Sequence, residues 1–186
     1  MLRRSPSGHF PQVSPEAFID PTAILCGRVI IEDNVFIGPY AVIRADEVDE
    51  SGNMEPIHIR RDSNIQDGVV IHSKAGAAVT IGERTSIAHR SIVHGPCTIG
   101  DDAFIGFNSV VFRTGIGNNC VIRHNCVIDG RDLPDGFHVP PMTHIGPSFE
   151  LDSIEKVPPE YAMFSESVIS ANHVLVEGYK RLKNEF

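Results

Sequence analysis

The segment Ile59-Arg60-Arg61-Asp62-Ser63-Asn64-Ile65-Gln66-Asp67-Gly68-Val69-Val70-Ile71-His72 carries isoleucine at 59, 65 and 71, and the interval recurs at Ile81, Ile87 and Val93. A period of six is too long for strand alternation and does not fit a helix's 3.6. It suits a short strand plus a corner, repeated around a triangular coil. Working outward, the same step runs through Ile19, Leu25, Ile31, Ile37 and Ile43 before the segment, and through Ile99, Ile105 and Val111 after it. It shortens to five at Ile116 and returns to six at Ile122 and Ile128. All seventeen positions are Ile, Leu or Val. Four residues after most of them stands a small or β-branched residue suited to a crowded turn interior: Ala23, Val29, Val35, Ala41, Ser63, Val69, Thr85, Ser91, Cys97, Ala103, Ser109, Cys120 and Cys126. Three hexapeptides make one coil, and successive coils stack as parallel strands about 4.8 Å apart, each giving its aliphatic residue to the axis.

The period is broken over residues 44 to 58 and 72 to 80, which read as loops projecting from corners. After Gly130 come Pro134, Pro140, Pro141, Pro147, Pro158 and Pro159, which cannot extend a sheet ladder, so the repeat is expected to end there. From about Ser165 the period becomes helical, with Val168, Ala171, Leu175, Tyr179 and Leu182 on one face, expected to pack along the coil stack of its own subunit or a neighbour's. The organisation read from this is an N-terminal extension (1–18), a β-helix domain (19–148), and a linker with a C-terminal helix (149–186).

A net charge of −8 would repel a phosphate backbone, which argues against a nucleic-acid partner. No run of about 18 apolar residues reads as a membrane span, and Arg3-Arg4 are followed by no apolar stretch of an export signal. Cys26, Cys97, Cys120 and Cys126 form no CxxC pair, so a reducing, cytoplasmic setting is expected.

The register locates the polar residues. If 59-65-71 and 81-87-93 are successive coils, His72 and His94 each follow an aliphatic residue by one position and become vertical neighbours facing outward, with Arg44 in the same column one coil earlier. That spacing suits two ligands of one metal. His89, two places after Ile87, lies around the corner above Asp67, with Gln66 beside it. Metal–nitrogen bonds of about 2.0–2.1 Å put it out of reach of the other two within one chain. A second subunit must bring it there, and rotation about a threefold axis apposes different faces of successive prisms in a closed ring. The expectation is a homotrimer with three interfacial sites. A solitary histidine on such a surface is ordinarily solvated or hydrogen-bonded, which is the reading for His9, His58, His124, His138, His144 and His173.

The repeat resembles the left-handed parallel β-helix of hexapeptide proteins, and the resemblance supplies the hand. Ile43-Arg44-Ala45-Asp46-Glu47, then Asn64-Ile65-Gln66-Asp67-Gly68-Val69-Val70-Ile71-His72, then Ala88-His89-Arg90-Ser91-Ile92-Val93-His94-Gly95-Pro96 resemble, in order and spacing, the signature of γ-class carbonic anhydrases. The likeness continues through Ile99-Gly100-Asp101-Asp102-Ala103-Phe104-Ile105-Gly106 and Gly117-Asn118-Asn119-Cys120-Val121 to Val176-Glu177-Gly178-Tyr179-Lys180. It implies a mainly β fold with a C-terminal α-helix, a homotrimer, and Zn²⁺ (or Fe²⁺ or Co²⁺) held by His72, His89 and His94. It implies reversible hydration of CO2 to bicarbonate and a proton by a metal-bound hydroxide. By the same resemblance Gln66 hydrogen-bonds that hydroxide, Asn172 lies near the substrate pocket, Asn64 is supportive, Arg44 and Asp67 form an ion pair tying subunits together, and Glu47 is one carboxylate of a proton relay.

The sequence departs from the family pattern after the first histidine, where active members often carry a long acidic loop. Residues 73 to 80 are short and contain no acid, while Asp49, Glu50 and Glu55 of the longer 44–58 loop are candidate substitutes. Two other readings stand beside the enzyme: a scaffold subunit of the same architecture, motivated by the missing acids, and a hexapeptide acyltransferase, motivated by the repeat alone.

Overall fold

A computed structural model describes residues 1–151 and 156–183. The chain winds around three parallel sheets of eight, six and seven strands. The first face stacks Leu2–Arg3, Ile24–Gly27, Val42–Ala45, Val70–His72, Ile92–His94, Val110–Phe112, Val127–Asp129 and His144–Ile145. The second stacks Gln12–Val13, Val29–Ile31, Ile57–Ile59, Val79–Ile81, Cys97–Ile99 and Gly115–Ile116. The third stacks Phe18–Ile19, Phe36–Ile37, Asn64–Ile65, Ser86–Ile87, Phe104–Ile105, Val121–Ile122 and His138–Val139. Strands this short hold together only because every coil lies on the next.

The register is the one the six-residue period dictates: Ile71 pairs with Val93, Ile65 with Ile87, and His72 with both Arg44 and His94. Apart from Ile19, which is partly buried, the aliphatic residues of the repeat are at most 3% exposed. The thirteen small residues four places on are all buried as well. At the corners, left-handed backbone conformations fall largely on short polar residues, among them Asn34, Asp62, Asp102, Asn108, Asn119 and Asn125, whose side chains tolerate positive φ. Gly27 has φ +84°, and a Cβ there would overlap the carbonyl of Ala45 on the coil beside it. Only glycine lets those two backbones meet.

The ladder is longer than the sequence suggests at both ends. Residues 2–3 and 12–13 already pair with the second coil, so part of the expected N-terminal extension belongs to the solenoid. Beyond Gly130 the expected stop does not occur. Leu133, Val139 and Ile145 continue the inward column, and His138–Val139 and His144–Ile145 pair with the preceding coil. The prolines fall at corners and between strands, where no ladder N–H is needed, which is why they do not end the stack.

Helix α1 spans Pro159–Lys183 and lies on the third face. It begins six residues before Ser165, because a proline in the first turn lacks only an N–H that has no intrahelical acceptor. Of the expected 149–186 segment, residues 152–155 and 184–186 lie outside the described residues. The buried edge of the helix is Ser165, Asn172 and Val176, with Tyr161, Val168 and Lys180 half-buried beside it. Ala171, Leu175 and Leu182 of the expected face are exposed instead. Ser165 and Asn172 can be buried because each satisfies its polar group within the helix, Ser165 Oγ donating to Tyr161 O and Asn172 Nδ2 to Val168 O. Tyr179 completes the docking by stacking on Phe18 with ring centroids 4.3 Å apart, while Lys180 pairs with Glu16. Among the described residues no helix is long and apolar enough to cross a membrane.

Truncating one axial residue, Ile87→Ala, should cost about 2–5 kcal/mol in denaturant unfolding, since it leaves a cavity under the coils above and below. On the helix, Val176→Ala should cost on the order of 1 kcal/mol, and Val174→Ala, on the exposed side, less than about 0.5 kcal/mol. Cys97, Cys120 and Cys126 are free and buried, and burial pushes their thiols up, Cys120 to about 11. With so little thiolate at pH 8, alkylation of these three should be slow in the native protein and complete on unfolding, as mass spectrometry would measure.

Candidate metal centre

Alternation along the first face turns one residue of each strand inward and its neighbours outward. The residues following the axial aliphatics form an outward column, Cys26, Arg44, His72, His94, Phe112 and Asp129, in pairwise register. A parallel column on the same face is aliphatic: Ile24, Val42, Val70, Ile92, Val110 and Val127. A shallow depression of about 270 Å³ lies over Val42, Arg44, Val70, His72, Ile92 and His94. The larger cleft, about 490 Å³ between α1 and the third face, is remote from the histidine column, and its Arg84 is already held by both carboxylate oxygens of Asp102.

Nδ1 of His72 and Nε2 of His94 are 3.2 Å apart. Two imidazoles bound to one cation at about 2.1 Å and a near-tetrahedral angle would separate their nitrogens by about 3.4 Å. The nitrogens facing away from this gap meet different surroundings. His94 Nδ1 lies 3.2 Å from Gly95 O. His72 Nε2 lies 3.4 Å from a Glu47 carboxylate oxygen and 3.6 Å from Asp46 Oδ1, with Arg44 Nη2 at 3.1 Å. The Gly95 carbonyl turns the Nε2 lone pair of His94 toward the gap, whereas at His72 the nearest outer group is the Arg44 guanidinium, which can only donate, so Nε2 accepts from it. Burial, reinforced by the Arg44 charge, lowers the pKa of His72 and keeps its ring in the neutral, ligating form.

His89 is elsewhere. It occupies the corner after Ser86–Ile87, half exposed, with Nδ1 3.6 Å from Asp67 Oδ2 and its ring 5.3 Å from that of Phe107. Among the described residues no group of three or more His, Cys, Asp or Glu side chains is gathered in one chain so as to hold a metal ion. The chain thus brings His72 and His94 together and leaves His89 around the corner. Arg44 and Asp67 are likewise not paired within the chain: Arg44 Nε is 3.4 Å from Asp46, and Asp67 faces His89.

Asn64 and Gln66 flank the axial Ile65 on the third face. Asn64 Nδ2 donates to Ser86 Oγ at 2.7 Å, while Asn64 Oδ1 and Gln66 Oε1 are buried without hydrogen-bond partners. Asn172 is buried on the helix that covers this face, away from the histidine column. Of the candidate loop acids, Asp49 is engaged in its own turn, accepting from the backbone N–H groups of Ser51 and Asn53, which lowers its pKa. Sequence reading passed over Asp46, whose place two residues after Arg44 puts it on the same outward side of an extended strand. It also passed over Phe112, 5.3 Å from the His94 ring and one coil beyond it.

Two hexapeptide family models match the chain: a bacterial transferase hexapeptide of six repeats over residues 10–45 and 78–113, and a hexapeptide repeat of succinyl-transferase over residues 28–73. A solved hexapeptide transferase family protein from Anaplasma phagocytophilum superposes with a TM-score of 0.79 at 25% identity, covering 96% of this chain and 97% of that one. The carboxysome assembly protein CcmM of Nostoc sp. is 35% identical over 178 residues, spanning 90% of this chain and only 31% of that longer protein. The carbonic anhydrase of Methanosarcina thermophila is 37% identical over 197 residues, spanning 95% of this chain and 77% of that protein. Identity at that level across nearly the whole solenoid and helix, on the repeat and signature described above, means that the chain belongs to the γ-class carbonic anhydrase family.

Proposed function

We propose that the protein is a metal-dependent carbonic anhydrase that reversibly hydrates CO2 to bicarbonate and a proton, working as a homotrimer in which His72 and His94 of one protomer share a cation with His89 of the next. The observation that carries this reading is the 3.2 Å separation of two imidazole nitrogens, close to the spacing of two ligands on one cation. The third ligand is on a different face, so the donor set closes only between chains. The aliphatic column from Ile24 to Val127 supports the same assembly. It leaves Ile92 about 40% exposed beside the histidines, and a neighbouring protomer would bury it.

Zn²⁺ in such a site lowers the pKa of a bound water to about 7, a value taken from a carbonic anhydrase of another class, and histidine-only ligation would accept Fe²⁺ or Co²⁺ equally well. The chain's own groups do the rest. Arg44 is placed to offset the negative charge of bicarbonate. Gln66, brought with His89, would offer its Oε1, buried without a partner among the described residues, to a hydroxyl proton, and Asn64, two positions earlier, is assigned a supporting role. Glu47, half exposed and 3.4 Å from His72, can pass a proton from the site to bulk water. Arg44 and Asp67, each without the other in the single chain, are assigned as an ion pair across the seam, and Asn172 as a residue lining the substrate approach. Free, buried cysteines accord with a cytoplasmic protein.

A scaffold role is favoured by two specific observations: residues 73–80 contain no acid, and one relative is a carboxysome assembly protein. It shares the trimer and differs only in turnover.

Elemental analysis with mass in solution should give three metal ions per trimer. Stopped-flow CO2 hydration should fall at least about 100-fold in His94→Ala, since losing even an outer partner of a ligand costs 10–100-fold. A wild-type rate no higher than that variant's would remove the enzymatic reading and leave the scaffold. Ile92→Lys should convert trimers to monomers and lose the metal in the same step, although it changes no ligand. A monomer that kept its metal would overturn the shared site.

A further inference from the structure

We infer that Phe107, pinned by His124, is a positioning residue for His89. The inference rests on the proposed role of His89 as a ligand given to the neighbouring protomer. The three residues occupy equivalent corners of successive coils, each two places after an axial isoleucine of the paired set Ile87, Ile105 and Ile122. The corners are tied backbone to backbone, Asn108 N donating to His89 O and Asn125 N to Phe107 O. Their side chains therefore form a vertical stack of rings.

His89 needs such a support. It stands on a turn rather than in a strand, its side chain is 46% exposed, and its carboxylate neighbour Asp67 is 3.6 Å away, beyond a hydrogen bond. A ligand that must meet a cation held by another chain loses affinity if it first has to be ordered. Phe107 lies on one side of the imidazole, with centroids 5.3 Å apart. On its other side Phe107 lies nearly parallel to His124, at 4.3 Å and 12°. His124 is fixed in turn, because its Nδ1 accepts the backbone N–H of Phe107 itself at 3.0 Å. That bond leaves the proton on Nε2, and burial together with Arg123 lowers the His124 pKa, so the ring stays neutral and stacks as an aromatic. The same bond occupies the only lone pair of the neutral ring, so His124 is not free to take up a proton from the site and is no shuttle. The buried Phe104 meets His124 edge-on with centroids 6.4 Å apart, and meets Phe164 of α1 edge-on in turn.

The test is zinc affinity of the folded trimer, measured by equilibrium dialysis against buffered zinc, for wild type, Phe107→Ala, Phe107→Tyr and His124→Leu. Phe107→Ala should weaken zinc on the order of tenfold with the trimer mass unchanged, His124→Leu should weaken it less, and Phe107→Tyr should retain wild-type affinity. A merely structural phenylalanine would lower the melting temperature and leave the affinity of the folded trimer alone. Histidine ring carbon–proton spectra of metal-free protein give a second readout. The His89 signals should carry a ring-current displacement that Phe107→Ala abolishes and Phe107→Tyr preserves. Zinc bound equally by wild type and Phe107→Ala, or unmoved His89 signals, would overturn the inference while the metal site stood. Wild type that takes up no zinc would instead overturn the site reading and this inference with it.

Discussion

Everything in this molecule depends on one constraint, that each coil must place an aliphatic side chain on the axis directly over that of the coil before. A strand of two or three residues has no stability of its own, and its hydrogen bonds run to the next coil rather than along the chain. Burial of a column of isoleucines at about 1.5–3 kcal/mol each supplies the driving force, and close packing within the column fixes the vertical register. Once that register is fixed, the residues one and two places after each axial residue have no freedom of height. His72 beneath His94, and Asp67 beneath His89 beneath Phe107, follow from Ile71, Val93, Ile65, Ile87 and Ile105. The polar chemistry of the surface is written in a frame that the core sets.

This is why so much of the site was legible in sequence. The outward column of Arg44, His72 and His94 needed only the period and the counting of one residue past each aliphatic. What escaped was decided by interactions that periodicity does not encode. The end coils were missed because prolines were weighed as breakers, although Leu133, Val139 and Ile145 carried the inward signal and the prolines lie outside the strands. The helix was turned by about one residue because hydrophobicity was made the guide to its buried face. The third face offers aromatic rings to a helix edge of Ser165, Asn172 and Val176, and the two polar residues cap themselves internally. Leu175 and Leu182 were thereby left facing outward, together with Val174 and half of Tyr179. Asp46 was visible by strand alternation, but as one of many acids in a loop it carried no mark until the geometry placed it beside His72.

On the proposed reading, a site divided between faces would link folding, assembly and metal uptake in a single equilibrium. In one chain His72 Nδ1 and His94 Nε2 stand 3.2 Å apart, and His89 lies around the corner, where on the proposed reading it would serve another copy. The same division applies to the charges. Arg44 is drawn to Asp46 and Asp67 to His89 in the free chain, and the assembly would exchange these for contacts between chains. Free energy gained at the seam would then read out as metal affinity, and metal would add to the stability of the seam, so that neither could be tuned alone.

The two loops that interrupt the repeat leave from the same corner, immediately after Arg44–Ala45 and after His72, and Ser73 N donates to Arg44 O between them. They lie one coil apart beside the histidine column, so on the proposed reading they would be the natural outlet for a proton leaving it. In this chain the acids are unevenly divided: residues 73–80 have none, while the other loop begins with Asp46 and Glu47, both turned toward His72. Farther along that loop Asp49 is locked into its own turn and so is no mobile carrier. On the proposed reading the relay would consequently be short, running from the His72 side through Glu47 to water. Apart from Ala45, Met54, Ile57 and Val79, which join the buried core, the residues of these loops lie outside it, so their charges can change without disturbing the register. Relatives bearing the names of an enzyme and of an assembly protein can thus share one solenoid, and the difference in turnover is to be sought at this corner rather than in the core.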